Sequence, residues 1–194
     1  MTLPYEPLQG HGIRLLPYAP ELYEPVRQAL DCDPEAWQLF AMSGQGEHFA
    51  SWWSGAEAAM RAGTWQAYAI EDQASGRIVG STSFLNITPV KQTVEIGATF
   101  LHPSARSGHV NPAAKLLLLQ QAFAHGVRRV QLFTDLRNVR SQAAIAKLGA
   151  VREGVLRRER VIWTGHVRDA VLFAITDLDW PTVQAGLQAR LASA

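Results

Sequence analysis

A chain of 194 residues with 47% apolar content can bury one substantial core, and its 18 Lys plus Arg nearly balance its 17 Asp plus Glu. That balance excludes a broad basic field for nucleic acid or an anionic membrane, so any charge-based recognition must be local. Cys32 stands alone and the six histidines never fall at i,i+3 or i,i+4, which leaves no disulfide framework and no expected metal site.

The N-terminus MTLPYEPLQG has neither the basic start nor the apolar stretch of a signal peptide, and a cytoplasmic protein without a membrane span is expected. His11–Tyr18 reads as a first strand, rich in branched or apolar residues. Ala19–Asp31 reads as a helix, with Leu22, Val26 and Leu30 spaced for one buried face. Glu47–Arg61 is a second helix carrying Phe49, Trp52, Trp53 and Met60, ended by Gly63. Adjacent helical residues point about 100° apart, so only one of Trp52 and Trp53 is expected in the core.

Three strands follow: Thr64–Glu71, Arg77–Ile87 and Gln92–Leu101. Asn111–His125 returns to helical spacing, with Asn111 and Pro112 as an N-cap and first-position pair. Val127–Thr134 has the apolar run of a central strand, and Val139–Leu148 is a short helix stopped by Gly149. Val151–Trp163 and Val167–Thr176 pair as a hairpin, and a helix over 180–191 closes the chain. This order predicts a single α/β (mixed α+β) domain over 1–194, with a central twisted mixed sheet of about seven strands and helices on both faces.

The stretch TVEIGATFLHPSARSGHVNPAA, residues 93–114, carries the strongest functional signal. A strand runs through a short polar loop into a helix N-terminus, where exposed N–H groups and the helix dipole favour an anion. Arg106 adds a positive charge, while Ser107 and Gly108 let a backbone approach a phosphate.

The succession of elements, with FLHPSARSGHVN and NVRSQAAIAKLGAVREGVLRRERV, resembles the GNAT superfamily of acetyl-CoA-dependent N-acetyltransferases. The pieces Asn138 to Ala144, Leu148 to Arg157 and Arg168 to Trp180 are similar to its Rim-type branch, which includes ribosomal-protein N-terminal acetyltransferases. The resemblance implies a GNAT-like fold, with acetyl-CoA as cosubstrate. Backbone at Phe100 and Leu101 would hold the pantetheine arm, and the loop Arg106, Ser107, Gly108, His109, Val110, Asn111 would wrap the pyrophosphate. That loop departs from the usual glycine-rich pattern at His109 and Asn111. A histidine adopts positive φ less readily than glycine.

Acyl transfer from a thioester to an amine requires a base for the amine, stabilisation of an oxyanion and a proton for the leaving thiolate. Glu95 is the candidate base, opposite the stripe Val94, Ile96, Ala98 and Phe100, with Gly97 leaving room beside it; the alternative is a solvent-facing strand carboxylate. Ser141 is the candidate proton donor, since Ile145 stands where many GNAT enzymes have tyrosine; it can equally satisfy a helix N-terminal N–H. Asn138 either bonds the pantetheine chain or caps the next helix. Arg157, Arg158 and Arg160, interleaved with Glu153 and Glu159, read as a solvated face, and Arg168 and Asp169 as separate structural contacts. In some Rim-type enzymes a glutamate base stands at the position of Arg160.

The implied activity is transfer of acetyl from acetyl-CoA to a primary amine, on a protein N-terminus or a small molecule, by direct attack through a tetrahedral intermediate. The competing reading is an acyl-CoA-binding protein without turnover. No nucleic-acid or membrane partner is expected. The C-terminal helix, with Trp180, Val183, Leu187 and Leu191, can pack on its own domain or in a homodimer.

Overall fold

A computed structural model describes residues 1–193. His11 and Gly12 both take left-handed φ, 52° and 79°, and this two-residue turn joins β1 (Leu8–Gly10) to β2 (Ile13–Pro17). The expected first strand over His11–Tyr18 is therefore corrected to the second arm of a hairpin. With β1 added, the sheet has eight strands rather than about seven.

The remaining elements follow the sequence expectation within a few residues. Helix α1 (Tyr23–Leu30), a single-turn α2 (Pro34–Trp37) and α3 (Phe49–Arg61) precede β3 (Gln66–Asp72), β4 (Arg77–Thr88) and β5 (Thr93–Leu101). Then come α4 (Val110–Ala124), β6 (Arg129–Asp135), α5 (Val139–Ala146), β7 (Val151–Val161), β8 (Val167–Thr176) and α6 (Trp180–Ala192). Helix α2 was not expected, although Asp33 caps it through Ala36 N–H and Pro34 opens it. Helix α4 begins at Val110, not after Asn111. His109 holds the cap position without a side-chain bond, and Asn111 sits inside the first turn. Burial of Val110 explains the earlier start, because the helix reaches back to place it in the core.

The strand order is β1-β2-β3-β4-β5-β6-β8-β7, antiparallel throughout except for the parallel pair β5 and β6. One face is covered by α4, where Leu116, Leu118 and Leu119 pack with Val94, Ile96, Val130 and Leu132. Val183 and Leu187 of α6 join this core, and Trp180 stacks on Phe123 at 5.1 Å, so the apolar residues of the last helix pack within their own chain. The other face holds an aromatic cluster of Tyr18, Trp37, Phe49, Trp52, Trp53 and Phe100 beneath α1 and α3. Both Trp52 and Trp53 are buried there, Trp53 stacked on Tyr18 and Trp52 edge-on to Trp37.

Lys115 lies inside the α4 face, only 5% exposed. Burial pulls its ammonium down to about 7, since a charge is costly where water cannot reach it. The unfolded chain, with a lysine near 10.4, therefore binds more protons between about pH 7 and 10, and stability must rise with pH across that window. The expected slope from this one group approaches about 1.4 kcal/mol per pH unit. Urea unfolding of wild type and Lys115→Met from pH 7.5 to 9 should show that rise in the wild type alone; parallel curves would contradict it.

Candidate active site

Strands β5 and β6 are hydrogen-bonded only from Thr93 to Glu95, opposite Arg129 to Gln131. Beyond Glu95 they part, and β6 continues against β8 as far as Asp135. The C-terminal half of β5 thus faces a cleft instead of a neighbouring strand. A crevice outside the carboxyl ends of parallel strands is the usual binding position in open α/β sheets.

A bulge shapes that half of β5. Gly97 pairs with Ser83 and Phe100 with Ser81, so Ala98 and Thr99 together oppose Thr82. Ala98 takes φ 47°, unusual for a residue with a Cβ. The bulge swings Phe100 into the aromatic cluster, where Trp37 stacks on it at 4.4 Å and 5°.

The connection from β5 to α4 presents a run of unpaired backbone donors. Among the described residues, the backbone N–H groups of Ser107, Gly108, His109, Val110 and Asn111 donate to no protein acceptor. They sit at the positive end of a buried 15-residue helix. The left-handed residue of the turn is Ser107 (φ 65°), while His109 has an ordinary helical φ of −73°. The histidine therefore imposes no backbone strain, and its ring lies against the turn at Gly12. Arg106 is placed differently from a free phosphate ligand. Its Nε donates to Leu101 O at 2.8 Å, its guanidinium pairs with Asp33, and it lies over the Phe100 ring at 5.3 Å. That pair holds the Asp33 carboxyl below its usual range.

Glu95 is half-buried, and its Oε2 accepts from Asn86 Nδ2 at 2.8 Å. A Cβ on Gly97 would lie 2.8 Å from Glu95 Oε1, so only glycine leaves this carboxylate its place. Burial raises the Glu95 carboxyl above the ordinary glutamate range, against the Asn86 bond and the opposing pull of Arg160 and Arg168. These arginines belong to a group that the sequence pattern did not reveal. Glu159 pairs with Arg160 at 2.6 Å and with buried Arg168 at 2.7 Å. A bulge at Arg158 (φ 52°), whose N–H donates to Asp169 Oδ1, displaces β7 from simple alternation. The expectation of a wholly solvated face is corrected accordingly: Arg157 and Arg158 are exposed, but Glu159 is half-buried with Arg168.

On the far wall, Asn138 caps α5 by accepting from Ser141 N–H at 2.9 Å. The Ser141 hydroxyl makes no hydrogen bond among the described residues, which leaves it free to donate. Segment 33–41 links all the walls. Asp33 holds Arg106, Trp37 covers Phe100, Gln38 O accepts from Arg137, and Trp163 donates to Trp37 O and Ala41 O. None of these contacts is local in sequence, and only the aromatic content of the region hinted at them.

Comparison with known proteins agrees with this geometry. The acetyltransferase (GNAT) domain profile matches residues 13–151, and the chain belongs to that family of acetyltransferases. It is similar to an acetyltransferase-family protein from T. thermophilus, at 32% identity over 98% of this chain and 100% of that one, with TM-score 0.88. It is also similar to Mycobacterium smegmatis RimJ, solved with CoA-disulfide, at 25% identity over 95% and 92% of the two chains and TM-score 0.79. A GCN5-related N-acetyltransferase from Brucella melitensis shares the fold, at 23% identity over 97% and 86%, with TM-score 0.89. A search of curated proteins found no match.

Asp33→Asn keeps the cap on Ala36 N–H and removes the charge that Arg106 needs. A loss of about 1 kcal/mol is expected, or about 2–4 °C in melting temperature. Limited proteolysis between residues 38 and 46 should accelerate in the same variant, and an unchanged cleavage rate would show that the segment is held without this pair.

Proposed function

We propose that the whole chain acts as one N-acetyltransferase domain, moving the acetyl group of acetyl-CoA to a primary amine. The observation that carries this reading is the cleft left by the parted β5 and β6, which opens beside the unpartnered N–H groups of residues 107–111. Five free backbone donors at a helix N-terminus suit a pyrophosphate, and the unpaired edge of β5 from Ile96 to Leu101 suits an amide-bearing arm. Acetyl-CoA would supply an activated thioester; the chain's own residues supply binding, orientation and proton transfer.

In this scheme Glu95 accepts the proton of the attacking amine, helped by a carboxyl that burial has made more basic. The amine nitrogen forms a bond to the thioester carbonyl carbon, and collapse of the tetrahedral intermediate breaks the carbon–sulfur bond. Ser141 donates its hydroxyl proton to the departing thiolate and regains one from water. Asn138 serves the scheme by fixing the first turn of α5 and hence Ser141. Similarity to RimJ, together with the Rim-type resemblance of the sequence, supports a protein N-terminus as acceptor over a small amine, and a cytoplasmic setting accords with that.

A thermal-shift titration with acetyl-CoA, with ATP as phosphate control, tests the donor. Saturation to a hundred times the dissociation constant stabilises by about 2.7 kcal/mol, a rise of about 5–10 °C. No shift at millimolar acetyl-CoA removes the enzyme reading together with its non-catalytic rival. If the donor binds, Glu95→Gln should preserve the shift and lower kcat by about 10²–10⁴-fold. The rate of the wild type should rise with pH through a carboxyl titrating above the usual glutamate range, and this limb should vanish in the variant. Binding without turnover toward any N-terminal peptide or amine would leave an acyl-CoA-binding protein.

A further inference from the structure

Lys115 is a charged residue type buried in an apolar core and, among the described residues, has no acidic partner. Its Nζ donates to Thr99 Oγ1 at 2.6 Å and lies 3.4 Å from Thr82 Oγ1, and the two threonine hydroxyls are 2.8 Å apart. Neither contact is with a carboxylate, so ion pairing does not account for the residue. An apolar side chain of similar length would fill the same space without the cost of burying an amine. The position of the two threonines supplies a reason. Thr99 is in the bulge of β5, and Thr82 is the β4 residue that the bulge opposes. Lys115 therefore reaches from α4 across one of the two irregular steps in the pairing of β4 with β5, the one nearer the α4 loop.

The N-terminus of the same helix carries the free N–H groups at Val110 and Asn111. Five residues of helix place Lys115 about 7.5 Å further along the axis. The anion-binding turn and the bulge belong to different elements joined by the loop 102–109, and Ser107 and Gly108 in that loop are exposed. A rigid helix with a polar bridge at Lys115 gives the two parts a fixed separation that the loop alone does not.

We propose that Lys115 is a positioning residue for the acetyl donor, setting the distance between the phosphate-binding turn of α4 and the β5 bulge. This rests on the donor reading above. A ligand that touches both parts is held with its thioester near Glu95 only if their separation is correct, whereas a short thioester that touches the bulge alone is indifferent to it. Loss of the bridge therefore penalises the long donor selectively, through KM more than kcat. The depressed basicity of the amine agrees with a group kept for hydrogen bonding, where its charge has no partner.

The experiment compares acetyl-CoA with S-acetyl-N-acetylcysteamine, a thioester without phosphates, in wild type, Lys115→Met, Lys115→Gln and Thr99→Val. The wild type should prefer the full donor. Lys115→Met and Thr99→Val should reduce that preference by about a hundredfold, the effect expected of a misplacement near 1 Å. The short donor should stay close to its wild-type rate, and Lys115→Gln, which can still bond Thr99, should recover part of the preference. Equal losses with both donors, or an unchanged preference, would overturn the proposal. If Lys115→Met does not fold, Thr99→Val gives the same comparison with the lysine intact. A wild type that neither binds nor uses acetyl-CoA would instead refute the donor reading itself, a different and separately visible result.

Discussion

The parting of β5 from β6 after Glu95 and Gln131 is the constraint on which the rest of this molecule depends. A parallel pair normally hides its backbone groups in a continuous ladder, and an interruption at the centre of a sheet must be compensated nearby. Here each strand keeps only the ladder on its other edge, while the β5 edge from Ile96 to Leu101 has no partner strand. β6 keeps its full ladder with β8, and β5 keeps β4 through a bulge. Arg106 occupies Leu101 O at the end of the strand. The opening is thus held by residues on every side of it.

The two faces of the sheet serve this opening in different ways. The α4 face is mostly aliphatic, with Tyr68, Phe84 and Phe173 among its buried residues, and it places the start of one buried helix at the edge of the cleft. The opposite face is aromatic, with Trp37 stacked on Phe100 and a further ring network behind it. Flat rings cover a wide area with few rotatable bonds, so they form a stiff floor. Glu95 lies on the side of β5 opposite Val94 and Ile96, beside Asn86, Arg160 and Arg168, and burial there makes its carboxyl more basic. The Arg160, Arg168 and Glu159 group keeps the net charge beside it from becoming wholly negative.

Much of this was legible in the sequence because hydrophobic spacing reports on burial, and the helices and strands of this core are strongly spaced. Alternation along VEIGATFL set Glu95 opposite Val94 and Ile96, but the expected stripe failed beyond Gly97, because the bulge sends Ala98 and Phe100 to the aromatic face. The hairpin at Gly10–Ile13 was missed because one apolar run reads as one strand, although Gly-His-Gly is a turn signal in its own right. Asn111 and Pro112 have sound local preferences for a helix start, and the burial of Val110 overrode them. Arg106 could not be assigned its partner, because Asp33 is 73 positions away. Glu159 was hidden by a bulge, which breaks the period of two that strand reading relies on. Lys115 looked like an interruption of an apolar helix, and nothing short of the fold could place Thr99 and Thr82 against it.

Segment 33–41 has a consequence for how such a protein can diverge. Its four anchors lie on the loop after β5, the end of β5, the entry to α5 and the last hairpin. Exchange of this piece for another, by drift or by grafting, disturbs Arg106, Phe100, Arg137 and Trp163 together. New acceptors should therefore arise more readily through changes at the exposed hairpin residue Arg157, which carries no such tie among the described residues. The same lattice of contacts that steadies the site also narrows the routes by which its selectivity can change.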